Sequence, residues 1–289
     1  MFATLLAAVF ISLWSTGFVV ARAIKPYADP NLFLLMRFGG TALMFALAAW
    51  AARAAWPRGR ELGKHLCAGA LLQGIYLGGG YWAVAQGLSA GAMALLGALQ
   101  PLLTAALAAP LFDERVSPRG WSGMALGLAG VALVLAPKLA TAAPVQPGHA
   151  PSWLVAAVAV LAVVAFTAGT LFQKTSLAKA DIRSASAVQN LGAAAVAAAL
   201  VGILHEKYCI PSTTLWISLA WGIVMLSGVS MTLLTRMVRR GSASRATALL
   251  FLAPPLAALQ GYAGFGEALS AAQIAGFAVA LAGVLLARS

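Results

Sequence analysis

One stretch of the sequence, from His65 to Phe112, runs for 48 residues without an Asp, Glu, Lys or Arg. A helix of that length would be more than twice as long as a bilayer core is thick, about 30 Å. The run therefore predicts two successive membrane spans, divided at Gly87–Gly91. Only 9% of all residues are charged, against about 25% in soluble domains. This composition excludes a cytosolic globular enzyme and a disordered chain, and it predicts an all-α polytopic membrane protein.

The same pattern along the whole chain predicts ten transmembrane helices, each about 20 apolar residues long. Their predicted bounds are Phe2–Val20, Asn31–Ala52, Leu66–Gln86, Ser89–Pro110, Arg119–Ala136, Ser152–Phe172, Ser184–Leu204, Pro211–Thr235, Ala246–Gly266 and Ser270–Ala287.

The basic residues predict the orientation of these spans. If the N-terminus is cytoplasmic, 14 of the 19 Lys and Arg residues fall on the cytoplasmic side and four outside, and Arg37 lies within a span. This bias follows the positive-inside rule and predicts that both termini are cytoplasmic. It also accounts for the basic pI of about 10.6 without a nucleic-acid partner. Cys67 and Cys209 then lie near opposite faces, so we do not expect a disulfide between them.

A proline-rich segment, residues 137–151, divides the chain into two halves of five spans each, residues 1–136 and 152–289. The halves match without a gap at an offset of 153, and positions 94–133 contain 15 identities in 40. Because each half has an odd number of spans, the second enters the membrane from the opposite side. The sequence therefore predicts two inverted-topology repeats, an architecture of secondary transporters with a substrate site between the repeats. The most specific matches are Pro101 with Pro254, Phe112 with Phe265, Glu114 with Glu267, Ser117 with Ser270, Gly123 with Gly276 and Gly130 with Gly283.

These motifs resemble the EamA-type repeat of the drug/metabolite transporter superfamily. The first copy contains Ala98–Thr104, Phe112–Gly123 and Gly127–Val131, and the second contains Leu252–Leu256, Gly266–Ser270 and Gly276–Gly283. Trp14–Phe18 and Met36–Phe38 also resemble that repeat. The resemblance implies a ten-helix inner-membrane carrier, often an exporter of amino acids, metabolites or toxic compounds. One departure is that the second copy has Asn190 where the first has Arg37.

Arg37 is the leading candidate for binding a substrate, because charge inside a membrane is costly and usually serves a transport pathway. It lies about 9 Å from the outer end of its helix. It either faces the cavity and pairs with a carboxylate, or reaches the interface or neighbouring carbonyls with its long side chain. Asn190 is expected at the mirrored depth, with a contact between helices as the alternative role.

Other polar and aromatic side chains within the spans are further candidates for lining the cavity, with helix packing as the alternative for each. They are Trp14, Gln73, Tyr76, Trp82, Gln100, Trp221 and Gln260. Tyr81 and Tyr262 are intramembrane polar groups as well, but neither is singled out as a site residue. Pro101, Pro254 and Pro255 interrupt helical hydrogen bonding, which indicates either gating kinks beside the site or simple packing kinks.

Glu114, Ser117, Glu267 and Ser270 precede helix starts and are interpreted as structural caps. Small residues at helical spacing, with Gly123 and Gly130 in one half and Gly276 and Gly283 in the other, predict close helix contacts between repeats or between protomers. We find no acidic residue or His deep in a span, and hence predict no catalytic residues, no metal site and no cofactor.

The sequence thus predicts a secondary transporter, with export favoured, of amino acids or related amphipathic metabolites by alternating access. Its expected partners are a small-molecule substrate and the lipid bilayer, and the protein is a monomer or a homodimer. Export of lipophilic cations is the alternative within the same class. A membrane-embedded enzyme and a passive channel are alternatives from other classes, but neither a catalytic constellation nor a continuous polar stripe is visible.

Overall fold

The computed structural model consists of helices joined by short loops, and it describes residues 2–100, 103–104, 107, 117–140, 150–176, 180–230, 233, 253–266 and 269–288. Two of the helical segments contain π-helical turns. The elements in order are α1 (Phe2–Ile24), α2 (Pro30–Ala51), α3 (Arg60–Gly69), π1 (Ala70–Ile75), α4 (Tyr76–Ala85), α5 (Ala90–Ala98), α6 (Pro118–Ala140), α7 (Ser152–Ser176), α8 (Ile182–Ile203), α9 (Thr213–Ala220), π2 (Trp221–Val229), α10 (Ala253–Phe265) and α11 (Ala271–Arg288).

Among these elements, three helices are long and apolar enough to cross a membrane by length and composition: Pro30–Ala51, Ser152–Gln173 and Ile182–Ile203. Shorter apolar helices cover Val9–Ile24, Thr213–Val229 and Ala271–Gly283. Each of the ten predicted spans contains helix in the described part of the chain. That each of the ten crosses a membrane stays a prediction.

The outward faces of the helices are apolar, as expected of surfaces in contact with lipid. Large aliphatic side chains on four different helices, including Leu43, Leu161, Leu191 and Ile217, are more than half exposed. The tryptophans near the predicted span ends are exposed as well, in keeping with a role in the interfacial aromatic belt. These are Trp50, Trp56, Trp121, Trp153 and Trp216.

The predicted break in the long uncharged run is present. The helix α4 ends at Ala85, Gly87 adopts a left-handed φ of 90°, and the Ser89 side chain accepts a hydrogen bond from the amide of Ala92 to begin α5. The third helical segment begins at Arg60, earlier than the predicted Leu66. Its first turn is polar and exposed, and a hydropathy pattern therefore does not detect it.

The helices α2 and α8, which occupy similar positions in the two halves of the sequence, pack against each other in antiparallel directions. At one end, Glu206 after α8 accepts hydrogen bonds from the amides of Asn31 and Leu32 at 2.8 and 2.9 Å, at the start of α2. At the other end, the Ser184 hydroxyl of α8 donates to the carbonyl oxygen of Ala55 at 2.7 Å. Partial burial raises the pKa of Glu206, and the bonds from Asn31 and Leu32 oppose that rise.

A second antiparallel pair consists of α6 and α11, whose small residues face each other. A Cβ on Gly276 would lie 2.7 Å from the carbonyl oxygen of Gly130, and one on Gly283 would lie 2.6 Å from that of Gly123. The small-residue stripes thus contact each other across the two halves, which is the first of the two arrangements expected from the sequence. Backbones approach this closely only where side chains are minimal.

The starts of α6 and α11 carry the hydroxyl caps that the sequence suggests. The Ser117 hydroxyl accepts from the amide of Gly120 at 3.0 Å. Ser270 and Gln273 exchange two bonds, each side chain accepting from the other residue's amide, which is the geometry of a capping box. Glu114 and Glu267 lie outside the described residues, as does most of the 137–151 linker.

The helix bounds differ from the ungapped alignment at one point. Both α2 and α8 have 22 residues, and their starts, Pro30 and Ile182, are offset by 152. The next helices begin at Arg60 and Thr213, at an offset of 153. The loop that follows α8 is therefore one residue longer than the loop that follows α2. On these bounds, Arg37 corresponds to Gln189, and not to Asn190.

Candidate functional site

Side chains from several elements converge on one segment of α1, Trp14–Phe18, which we call the α1 hub. Its residues contact α4, π2 and α10 directly, and they are linked to α2 through a side chain of α4. The elements π2 and α10 belong to the second half of the sequence, at separations of more than 200 residues. The hub is therefore a meeting point of the two halves.

The first half contributes the charged side chain of Arg37, which is connected to the hub through the hydroxyl group of Tyr81. Nη1 of Arg37 donates to the hydroxyl of Tyr81 at 3.1 Å, and that hydroxyl donates to the carbonyl oxygen of Gly17 at 2.9 Å. Arg37 is 6% exposed, so its side chain is enclosed by the surrounding helices. No carboxylate within the described part of the chain forms an ion pair with it.

Arg37 retains unused hydrogen-bonding capacity. Its Nε is buried and has no partner, although a guanidinium carries five N–H donors. A buried donor left unpaired costs about 1–3 kcal/mol. Gly222 of π2 provides the space for the side chain, because a Cβ at residue 222 would lie 2.9 Å from Cδ and 3.0 Å from Nε of Arg37.

The second half contributes two polar contacts to the hub. Nε1 of Trp221 donates to the Thr16 hydroxyl at 2.9 Å, and the Ser15 hydroxyl donates to Oε1 of Gln260 at 3.2 Å. Trp14, the first residue of the hub, packs against the Phe10 ring, with centroids 5.6 Å apart. Indole and amide groups that bond other helices from inside apolar segments fix the relative positions of those helices.

Aromatic rings form one side of the hub. Phe18 contacts Tyr76 edge-on at 5.9 Å and Tyr81 at 6.1 Å. Tyr76 stacks on Phe166 of α7 at 4.3 Å. Its hydroxyl lies directly against Gly97 of α5, where a side chain would collide with it. The rings of Phe18, Tyr76, Tyr81 and Phe166 thus pack into one aromatic cluster.

Among the described residues, each half of the chain contains one π-helical stretch, and the two stretches occupy corresponding positions. Gly69, just before π1, meets the carbonyl oxygen of Gln189 on α8, and Gly222 within π2 meets Arg37 on α2. Gln189 also approaches His65, with 3.4 Å between Nε2 and Nδ1. π-Helical turns are rare in proteins, and those that occur are often found at functional sites.

The other predicted site residues are not joined to the hub by hydrogen bonds within the described structure. Gln73 and Trp82 are half-buried. Gln100 donates to the Thr104 hydroxyl at 2.8 Å, and Asn190 donates to the carbonyl of Ser186 at 2.9 Å, both within local helical spacing. Oδ1 of Asn190 is buried without a partner.

Pro254 and Pro255 lie in the first described turn of α10. Residues 251–252 before them, and Pro101, lie outside the described residues. The proposed gating kinks therefore stay a prediction.

Four residues of the candidate site are not among those predicted from the sequence. They are Tyr81, Ser15, Thr16 and Gly222. Ser15 and Thr16 lie inside the Trp14–Phe18 motif, so the motif itself was the available signal. Tyr81 and Gly222 act through contacts with Arg37 that no local pattern encodes. No group of three or more potential metal ligands occurs among the described residues.

Comparison with known proteins gives a fold and a family. A solved crystal structure of a protein has a TM-score of 0.66 and 23% identity, with 99% of this chain and 98% of that chain covered. At this identity the likeness shows the fold alone. No curated protein matches the chain. The model of the EamA-like transporter family matches residues 1–136 and 153–289. The chain, a multi-pass membrane protein, therefore belongs to the EamA-like transporter family.

Proposed function

We propose that the chain is a secondary transporter of the drug/metabolite type that exports small amphipathic carboxylates, amino acids among them, across an inner membrane. The observation that carries the proposal is the α1 hub, where Arg37 and Tyr81 from one half and Trp221 and Gln260 from the other meet at the same five-residue segment. A site shared between two halves can open alternately to each side when the halves rock against each other.

The proposed architecture is ten transmembrane helices in two inverted repeats, residues 1–136 and 152–289, joined by an external linker at 137–151. Three observations support it: the antiparallel packing of α2 with α8, the antiparallel packing of α6 with α11, and the paired π-helical segments. Both chain termini are proposed to be cytoplasmic on the basis of the distribution of Lys and Arg.

The proposed substrate class follows from Arg37 and its surroundings. A buried guanidinium with an unpaired Nε and no carboxylate partner among the described residues favours an anionic ligand group. The rings of Tyr76, Phe18 and Phe166 supply an apolar surface beside it. We further propose that the remaining candidates line the pathway and that the prolines flank a gate. The lining residues are Trp14, Gln73, Trp82, Gln100 and Asn190, and the gate residues are Pro101, Pro254 and Pro255.

Transport can be tested by counterflow. Purified protein in liposomes preloaded with an unlabelled amphipathic amino acid is expected to accumulate the labelled compound transiently, with saturable initial rates, because a carrier exchanges substrate across alternating states. Protein-free liposomes are the control. Non-saturable flux without exchange would identify a channel, and uptake only of lipophilic cations would identify the alternative substrate class.

The orientation can be tested with the two native cysteines, which are both free and exposed. In intact cells, a membrane-impermeant maleimide is expected to label Cys209, and the variant Cys209→Ser is expected to lose this label. In a background lacking both cysteines, Arg58→Cys is expected to react only after the membrane is opened. Labelling of both positions from the same side would contradict the proposed topology.

A further inference from the structure

A surface cavity of about 450 Å³ lies at the C-terminal end of α2, away from the α1 hub. It is lined by two tryptophans, one arginine and three alanines. The lining residues are Ala49, Trp50, Ala51, Arg53, Ala54 and Trp56. The volume is within the range of small-ligand sites, about 300–1,000 Å³. A lining that combines one cation with exposed apolar rings suits an amphipathic ligand with an anionic head.

The cavity arises from the way α2 ends. The amide of Arg53 donates to the carbonyl of Trp50 at 3.0 Å, and the amide of Ala54 donates to that of Ala49 at 2.9 Å. Together with a φ of 51° at Arg53, these bonds form a Schellman motif, in which the chain turns back on the helix end. Arg53 occupies a left-handed position that glycine normally takes, at a cost of about 1 kcal/mol.

This turn is also tied to the second half of the chain. The Ser184 hydroxyl at the start of α8 donates to the carbonyl oxygen of Ala55 at 2.7 Å. The segment between Trp50 and Trp56 is thus held at both ends, by the helix cap and by α8. The fixed turn brings Trp50, Arg53 and Trp56 around the same space.

The loop that contains the cavity carries a net positive charge. Residues 53–64 contain four bases, Arg53, Arg58, Arg60 and Lys64, and one acid, Glu61. Glu61 pairs with Lys64 at 2.6 Å. No described carboxylate lies within ion-pair distance of Arg53.

The two indole rings are open to the surroundings, since Trp50 is 77% and Trp56 is 40% exposed. Tryptophan at the end of an apolar helix occupies the headgroup level of a bilayer. A small soluble anion would use Arg53 but would leave both indoles without a partner. A phospholipid would use the cation for its phosphate and the rings for its glycerol and acyl region.

We propose that this cavity binds the headgroup of an anionic phospholipid, with Arg53 contacting the phosphate and with Trp50 and Trp56 flanking the lipid. In the proposed orientation the cavity lies at the cytoplasmic face. The binding needs no transport activity, so it can be measured even if the proposed substrate class is wrong.

The test is lipid binding to the purified full-length protein in a neutral detergent, followed by native mass spectrometry with phosphatidylglycerol and with phosphatidylcholine. The wild-type protein is expected to retain phosphatidylglycerol about fivefold more than phosphatidylcholine, the effect of about one basic residue. Arg53→Gln is expected to abolish this preference. The matched control Arg58→Gln removes the same charge from the same loop outside the cavity and is expected to preserve it.

Two outcomes would overturn the proposal. If Arg53→Gln and Arg58→Gln lose the preference for phosphatidylglycerol equally, the preference comes from general surface charge and not from the cavity. Competition by glycerol 3-phosphate or inorganic phosphate at concentrations similar to that of the lipid would identify a soluble anion as the ligand. Circular dichroism spectra and thermal midpoints of the two variants show whether either substitution alters folding.

Discussion

Arg37→Gln is expected to lower the specificity constant for transport of an amphipathic carboxylate by about 30-fold or more, the effect of losing a charge-assisted hydrogen bond in a buried site. The same substitution is expected to change transport of the corresponding methyl ester by less than about threefold, because the ester carries no charge for the guanidinium to pair with. Initial rates in proteoliposomes, measured for both compounds, give the two specificity constants.

The ratio of the two constants separates substrate binding from a structural role. If Arg37 only holds α2 against α4, the carboxylate and its ester lose transport equally in Arg37→Gln. If Arg37 binds the carboxylate, the wild-type preference for the acid disappears in the variant while the ester is still carried. Glutamine can still donate to the Tyr81 hydroxyl, which favours a folded variant.

Tyr81→Phe is the matched control for the contact between the two residues. It removes the hydroxyl that accepts from Nη1 of Arg37 at 3.1 Å and leaves the positive charge in place. We expect an intermediate loss for the acid, with the preference for acid over ester retained. Equal transport of acid by the wild-type protein and Arg37→Gln would contradict the assignment of Arg37.

Several helix boundaries could be predicted from the sequence because their signals are local. The break at Gly87 and Ser89 depends on a left-handed glycine and a hydroxyl cap, both visible as residue types. The cap at Ser117 and the pair of Ser270 with Gln273 follow from spacing alone. In each of these cases the relevant partners lie within four residues.

The composition of the site could be predicted only in part. Arg37 and Tyr81 are 44 residues apart, and Trp221 and Thr16 are 205 apart. Which of the many intramembrane aromatic residues meet depends on how the helices are rotated and stacked. Hydropathy gives little information on rotation when a helix is apolar on nearly all sides.

The correspondence between Arg37 and Gln189 shows a different limit. The ungapped match was anchored on Pro101, Phe112 and the glycines of the later spans. One extra residue after α8 shifts the earlier helices by one position. Alanine-rich helices contain too few distinctive residues to locate such an insertion, and only the caps and the lengths of α2 and α8 reveal it.

A substitution at the contact between α6 and α11 is expected to have the largest effect on the stability of the protein. Gly130→Val is expected to destabilise the protein by about 3 kcal/mol, at the upper end of overpacking costs. A Cβ on residue 130 would collide with the amide nitrogen of Ala280 and lie 2.7 Å from its Cα. These are backbone atoms, so no side chain can rotate away and the helices must separate.

Helix separation at this position should show as a loss of folded protein. At about 2–4 °C per kcal/mol, the thermal midpoint in detergent is expected to fall by about 10 °C, and Gly130→Ala is expected to show a smaller fall. Gly39→Val is the matched control, because Gly39 lies within α2 and a Cβ added there would have no atom within 4 Å. A midpoint for Gly130→Val within about 2 °C of the control would contradict close backbone packing between α6 and α11. A tolerated valine would mean that the backbones of α6 and α11 do not approach closely enough to require glycine at residue 130. One of the observations that support the antiparallel arrangement of the two halves would then be lost.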